Sequence, residues 1–188
     1  MSEDTFNITY VGTMADSYKP EIFFNVFKRL VDQFANLKIR FNFIGNAPWT
    51  LRKMVDDMGM EANCSWGGHI GHDEAVKEMQ KAHALLLIIP DTEGAKGILT
   101  GKLFEYLGAK RIIIGIGPAE GDAAAIIREC EAGEMFERNQ EDKLFAWMKE
   151  KVVMWKSGDE FKAGNNFVKN YTREALTKRL SLILLDSK

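Results

Sequence analysis

The chain has 188 residues, room for one good-sized core and too few for two large domains. Hydrophobic residues make up 46% and charged residues 28%, as in a soluble globular protein, and a formal net charge of −2 gives no electrostatic ground for nucleic-acid binding. No apolar run approaches the roughly 20 residues that span a bilayer, and the opening Met-Ser-Glu-Asp-Thr has neither the basic nor the apolar region of a signal peptide.

Phe6–Gly12 carries β-branched and aromatic residues ahead of a glycine and reads as a strand. Lys19–Phe34 places Phe23, Val26, Phe27, Leu30, Val31 and Phe34 at helical spacing, with Pro20 suited to a first turn. Lys38–Gly45 alternates as a second strand, a helix runs from Pro48 and Trp49 to near Gly59, and Asn63–Gly67 is a short third strand. Gly71, His72 and Asp73 lead into a helix over Glu74–Ala82 with Val76 and Met79 inward. The apolar run His83–Pro90 is a buried strand, followed by a loop and an amphipathic helix ending at Ala109. Arg111–Gly117 is the next strand, and a helix over Asp122–Glu131 takes Asp122 as its N-cap. Glu134–Glu137 is a last edge strand. Gln140–Trp155 and Phe161–Leu185 are terminal helices, covering about 140 to 187, separated by Lys156-Ser157-Gly158.

Strands alternating with helices of about a dozen residues imply right-handed parallel βαβ units. The expected fold is α/β, a doubly wound, Rossmann-like parallel sheet of about six strands in 3-2-1-4-5-6 order with helices on both faces. In such a sheet a ligand sits outside the carboxyl ends of the strands, where the order reverses. That directs attention to the loops Gly12–Lys19 and Pro90–Lys102.

The second of these loops carries the most informative stretch, Gly97-Ile98-Leu99-Thr100-Gly101-Lys102-Leu103-Phe104-Glu105-Tyr106-Leu107. A loop that leaves a strand and opens a helix offers free N–H groups and a positive dipole end, a ready phosphate site. Lys102 adds a positive charge on the first turn, and Glu105 an acceptor for ribose hydroxyls one turn on. Together they suggest a nucleotide-diphosphate site.

Other motifs carry less. Gly115-Ile116-Gly117-Pro118-Ala119-Glu120-Gly121 has GxGxxxG spacing on a late strand, without the acidic residue a dinucleotide site needs, and reads as a tight loop over the switch point. His69 and His72 have no third ligand at metal-site spacing, so no metal is expected. His83 begins a strand. Cys64 and Cys130 lack CxxC spacing and are expected as reduced core thiols of a cytoplasmic protein. Tyr171, Leu176, Leu180, Ile183 and Leu184 form a stripe expected to pack. Lys149–Lys156 reads as a solvated helix face with Trp155 packed inward, the alternative being peripheral contact with the inner face of a membrane. Gly12-Thr13 and Gly67-Gly68 stand where a phosphoacceptor domain needs acidic residues, which argues against that class.

The sequence resembles the C-terminal domain of GT-B, group-1 retaining glycosyltransferases. The resemblance rests on Tyr10-Val11-Gly12-Thr13 with Lys19, Phe43-Ile44-Gly45-Asn46-Ala47-Pro48, Gly68-His69-Ile70, Gly101–Leu107, and the tail Asn170–Thr177. It covers nearly the whole chain as one donor-binding domain, 1–188, with the N-terminal acceptor domain absent. The resemblance implies that Lys19 binds the donor diphosphate beside the glycine loop of Gly12. Thr13 stands where the family has an arginine. Gly45 matches the glycine ending the second strand, and Ile70 the residue whose backbone faces the base. Glu105 matches the second glutamate of Glu-x7-Glu, whose first falls on Gly97. Lys96 and Lys102 are placed to take over charge compensation.

The function so implied is binding of a nucleotide diphosphate sugar for a retaining glycosyltransferase. Lys19 and Lys102 stabilise the leaving diphosphate, with Thr100 and Gly101 supplying N–H groups. The substrate is the only small molecule required, with no cofactor and no obligatory metal. The acceptor half is a missing partner domain, in cis or as a separate chain, so this chain by itself is expected to bind donor and transfer little. The alternatives are a non-catalytic binding module of the same fold, favoured by Thr13 and Gly97, and a sugar-nucleotide epimerase domain.

Overall fold

In the computed structural model, which describes residues 4–159 and 163–186, strand and helix alternate along most of the chain. The elements are β1 (Thr5–Val11), α1 (Glu21–Gln33), β2 (Lys38–Ile44), α2 (Trp49–Asp57), β3 (Cys64–Trp66), α3 (His72–Lys81) and β4 (Ala84–Ile88). There follow α4 (Gly101–Ala109), β5 (Ile112–Ile116), α5 (Asp122–Glu129), β6 (Gly133–Phe136), α6 (Glu141–Lys156) and α7 (Arg173–Asp186). The six strands are parallel in the order β3-β2-β1-β4-β5-β6. This is the expected doubly wound sheet, with its reversal between β1 and β4.

Both faces are buried, so the central strands are apolar on both sides. On one face Phe6, Ile8, Tyr10, Leu86, Ile88 and Ile114 pack under α1, α2 and α6. The aromatic rings of Phe23, Phe24, Phe27 and Phe41 fill the middle of that layer, with centroids 5.1–6.2 Å apart. On the other face Val11, Leu85, Leu87 and Ile113 pack under α3, α4 and α5. Cys64 and Cys130 are free thiols in opposite layers; Cys130 is buried, whereas Cys64 on edge strand β3 is half-buried. His83 joins the start of β4, donating its backbone N–H to Asn7 O and accepting the Asn7 N–H at Nδ1, and stacks on Phe6.

Several local expectations are corrected. The residue under α3 is Ala75 with Met79, while Val76 is half-buried toward a groove. Asp122 is the first residue of α5, not its cap; Gly121 holds that position, backed so closely by Lys96 O and Pro118 O that a Cβ would lie 3.0 Å and 3.2 Å from them. The segment before α1 is a 3-10 turn, Asp16–Tyr18, and the last helix begins only at Arg173, after a 3-10 stretch at Asn166–Tyr171. The expected start of that helix at Phe161 lies outside the described residues. The tail stripe is not buried as expected: Tyr171 touches Phe104, but Leu176, Leu180, Ile183 and Leu184 are exposed. Arg173 and Leu176, in the first turn of α7, line a groove against α4.

The two glycines that end β1 and β2 are fitted to each other. Gly12 donates its N–H to Ile44 O at 2.7 Å. Gly45 has φ +126°, and a Cβ there would stand 2.3 Å from Gly12 O. Both the left-handed region and the close backbone approach demand glycine. Gly45→Ala should therefore destabilise the fold by about 2–3 kcal/mol, measured as a lower urea midpoint at unchanged m-value.

Candidate functional site

β1 pairs with β2 along its length but with β4 only at Ile8↔Ala84 and Thr9↔Leu85. Beyond Thr9 the two central strands part, and a crevice opens at the reversal. The Val11 N–H, which has no β4 carbonyl to meet there, donates to the hydroxyl of Tyr106 at 3.1 Å. Tyr106 is fully buried in α4, so this bond clamps the helix to the end of β1.

One turn earlier on α4, Lys102 reaches across the same gap. Its Nζ donates to Tyr10 Oη at 2.6 Å and to Thr13 O at 3.2 Å. The Tyr10 hydroxyl in turn donates to Thr13 O at 2.8 Å. The ammonium lies 4.5 Å from the Tyr10 ring centre and 5.4 Å from that of Tyr18, where aromatic faces favour a cation. Its stem lies directly over Gly12, where a Cβ would come within 2.5 Å of Lys102 Cε. Burial lowers the Lys102 pKa to about 8, an effect that the charge of Glu105 opposes. Burial also raises the pKa of the Tyr10 and Tyr106 hydroxyls, so both stay protonated.

Lys19, expected to bind the donor diphosphate, has a carboxylate beside it. It ends the 3-10 turn in the left-handed region at φ +46°. Its Nζ is 2.5 Å from Asp91 Oδ2. Arg138, after β6, approaches the same carboxylate and donates to the carbonyls of Tyr18 and Ile89. These contacts hold the Asp91 pKa below the usual carboxylate range, the Lys19 hydrogen bond first and the Arg138 charge second.

Thr100 is the N-cap residue of α4 by conformation, but its side chain caps nothing, and its buried Oγ1 has no hydrogen-bond partner among the described residues. The first N–H groups of α4, at Gly101 and Lys102, have no carbonyl within the helix. Glu105 lies at the mouth of a groove of about 530 Å³ between α3, α4 and the tail, with His72 Nδ1 4.0 Å from its Oε1. Ile70 is half-buried on the same side of the sheet. Gly12, Thr13, Lys102, Thr100 and Gly101 are thus one cluster, joined to Gly45 below and flanked by Glu105. Lys96 is exposed on a turn whose backbone abuts Gly121, outside that cluster. A Cβ at Gly97 would enter open space, so packing does not require glycine there.

Tyr10, Tyr18, Tyr106, Asp91 and Arg138 had no assigned role in the sequence reading. The one sequence signal for the tyrosines is that each stands within a few residues of a predicted loop or helix start at the reversal. Nothing local in the sequence links Arg138 to Asp91, 47 positions earlier.

No family model matches the sequence, and no curated protein matches it. Solved structures do match. Sucrose-phosphate synthase from Thermosynechococcus elongatus aligns with 100% of this chain and 47% of its own, at TM-score 0.75 and 12% identity. The pneumococcal O-GlcNAc transferase GtfA, in complex with UDP and GlcNAc, aligns with 97% of this chain and 35% of its own, at TM-score 0.65 and 15% identity. The C-terminal domain of a group 1 family glycosyltransferase, LpcC from Francisella tularensis, aligns with 81% of this chain and 75% of its own, at TM-score 0.57 and 15% identity. The likeness is one of fold: the chain shares the α/β fold of these structures, that C-terminal domain among them. It spans about half the length, 44–50%, of the first solved enzymes it matches.

The buried ammonium has a consequence for stability. The native Lys102 pKa of about 8 lies below the value near 10.4 of an unfolded lysine, so the unfolded chain holds more protons between them. Unfolding free energy should therefore rise from about pH 8 to about pH 9.5. In Lys102→Met this rise should be absent, as read from urea midpoints at about pH 7.5 and about pH 9.5.

Proposed function

We propose that the chain is the donor-binding half of a glycosyltransferase, holding a nucleotide diphosphate sugar in the crevice between β1 and β4. The observation that carries this reading is Lys102. A cation half-removed from water, pinned across the gap between two strands and beside the open N-terminus of α4, is poorly satisfied until an anion arrives. A diphosphate supplies that anion, with charge-assisted hydrogen bonds to Nζ and to the Gly101 and Lys102 N–H groups. Thr100 Oγ1, buried without a partner, is available to donate to the same phosphate oxygens.

On this reading the chemistry is electrostatic. As the bond between sugar and phosphate breaks, negative charge grows on the leaving diphosphate, and fixed donors aimed there lower the barrier. Lys102 and Lys19 serve as the two cations, and Glu105 accepts hydrogen bonds from the ribose. Gly12, Thr13 and Gly45 shape the floor, and Ile70 lies beside the base. The pneumococcal neighbour's UDP supports a nucleoside diphosphate as ligand. No cofactor or metal is assigned a part.

Transfer requires an acceptor half. The chain's span of about half its neighbours' length and the apolar side chains that α7 leaves exposed support a partner domain, in cis or as a separate chain. With that partner the reaction is retaining transfer to a glycan or lipid-linked acceptor on the cytoplasmic side. A binding module without transfer is the second reading, favoured by one observation: Lys19 already has Asp91 as its counter-ion.

Titration with UDP, GDP, ADP and CMP without metal, by calorimetry or NMR, tests the proposal. One nucleotide should bind selectively, and Glu105→Ala should weaken it by about 1–3 kcal/mol. Lys102→Ala should cost the nucleoside diphosphate more than the nucleoside. Equal losses for both would remove the lysine from the phosphate, and no binding at all would remove the donor site.

A further inference from the structure

Asp91 stands where three loops meet. Its backbone N–H donates to Ser17 O at 2.9 Å, its Oδ2 meets Lys19 Nζ at 2.5 Å, and its Oδ1 faces Arg138 Nη1 at 3.9 Å. The guanidinium is fixed: Nη2 donates to Tyr18 O at 3.0 Å and Ile89 O at 2.8 Å, and the side chain is only 25% exposed. Its buried Nε has no hydrogen-bond partner among the described residues. Two cations therefore converge on one carboxylate at the carboxyl ends of β1, β4 and β6.

Three features separate this arrangement from an ordinary ion pair. The loops are already joined by the Asp91 N–H and by the two carbonyls that Arg138 bridges, so the carboxylate is not needed to hold them. Lys19 and Asp91 are 54% and 44% exposed, so solvent anions reach the pair, and a pair so exposed is weak in water. Lys19 adopts a left-handed backbone that is unfavourable for a non-glycine residue, and its ammonium meets the same carboxylate that Arg138 faces.

We infer that the Asp91 carboxylate is a built-in occupant of a diphosphate position between Lys19 and Arg138, which the donor's phosphate displaces on binding. This rests on the donor-site reading above. Arg138 is then a third cation of the site, beside Lys102 and Lys19. Asp91 sets the affinity threshold: a monoanion too weak to compete leaves it in place, whereas a diphosphate, with more charge and more acceptor oxygens, replaces it.

The test compares the unaltered chain with Asp91→Asn, in metal-free buffer of constant ionic strength, titrated with inorganic pyrophosphate and with UDP. Asp91→Asn should bind both about three- to tenfold more tightly, the scale of an exposed ion pair lost from the competitor. Asp91→Ser should repeat the gain, which covers a folding defect peculiar to one variant. The gain should vanish when Lys19→Ala is present in both chains being compared. Binding by the unaltered chain with no gain in either Asp91 variant would overturn this inference and leave the donor site standing. A gain that survives Lys19→Ala would overturn it as well. Failure of every chain to bind either probe would overturn both the inference and the donor-site reading.

Discussion

The hydrogen bond from the Val11 N–H to the buried Tyr106 hydroxyl is the contact on which the crevice depends. Two parallel strands that part company leave backbone donors and acceptors facing an apolar layer, where an unpaired group is costly. At the β1–β4 reversal one such donor is satisfied by a side chain from α4, not by a strand. The sheet can therefore open without an orphaned N–H, and the start of α4 is brought against the end of β1. Because Tyr106 follows Lys102 by four residues, the two side chains leave the helix on neighbouring lines of one face. Fixing the tyrosine thus also aims the lysine across the gap.

The three loops above the crevice are arranged around charge. Lys102 is partly desolvated and rests against aromatic faces and neutral oxygens, with Glu105 as an offset countercharge. Lys19 is exposed and has a carboxylate in direct contact. In the sequence both lysines stand at a helix start after a strand. Their surroundings make them different: one lacks an anion, the other already holds one.

The glycines divide in the same way. Gly12 and Gly45 are required by geometry, the first because its φ of +117° lies in the left-handed region and the second because the neighbouring loop's carbonyl fills the space of a Cβ. Gly97 is surrounded by open space. No packing constraint therefore excludes a side chain at that position.

The sequence by itself determined the layers, the strand order and the region of the site. Period-2 and period-3.6 patterns report which faces are buried, and regular alternation of strand and helix leaves few right-handed topologies. It also marked Lys102, Glu105, Gly12 and Gly45, because strand ends and helix starts are visible in local composition. It misjudged the tail: Leu180, Ile183 and Leu184 have helical spacing, but periodicity says only that a face is apolar, not that anything covers it. Only the tertiary structure decided which groups meet: Tyr106 with Val11, Lys102 with Tyr10, and Asp91 with Lys19 and Arg138. Those pairs lie 47 to 95 positions apart, beyond what a local pattern can register. Their proximity follows from the parallel sheet, which carries every strand's carboxyl end to the same edge and lets distant loops share one small volume.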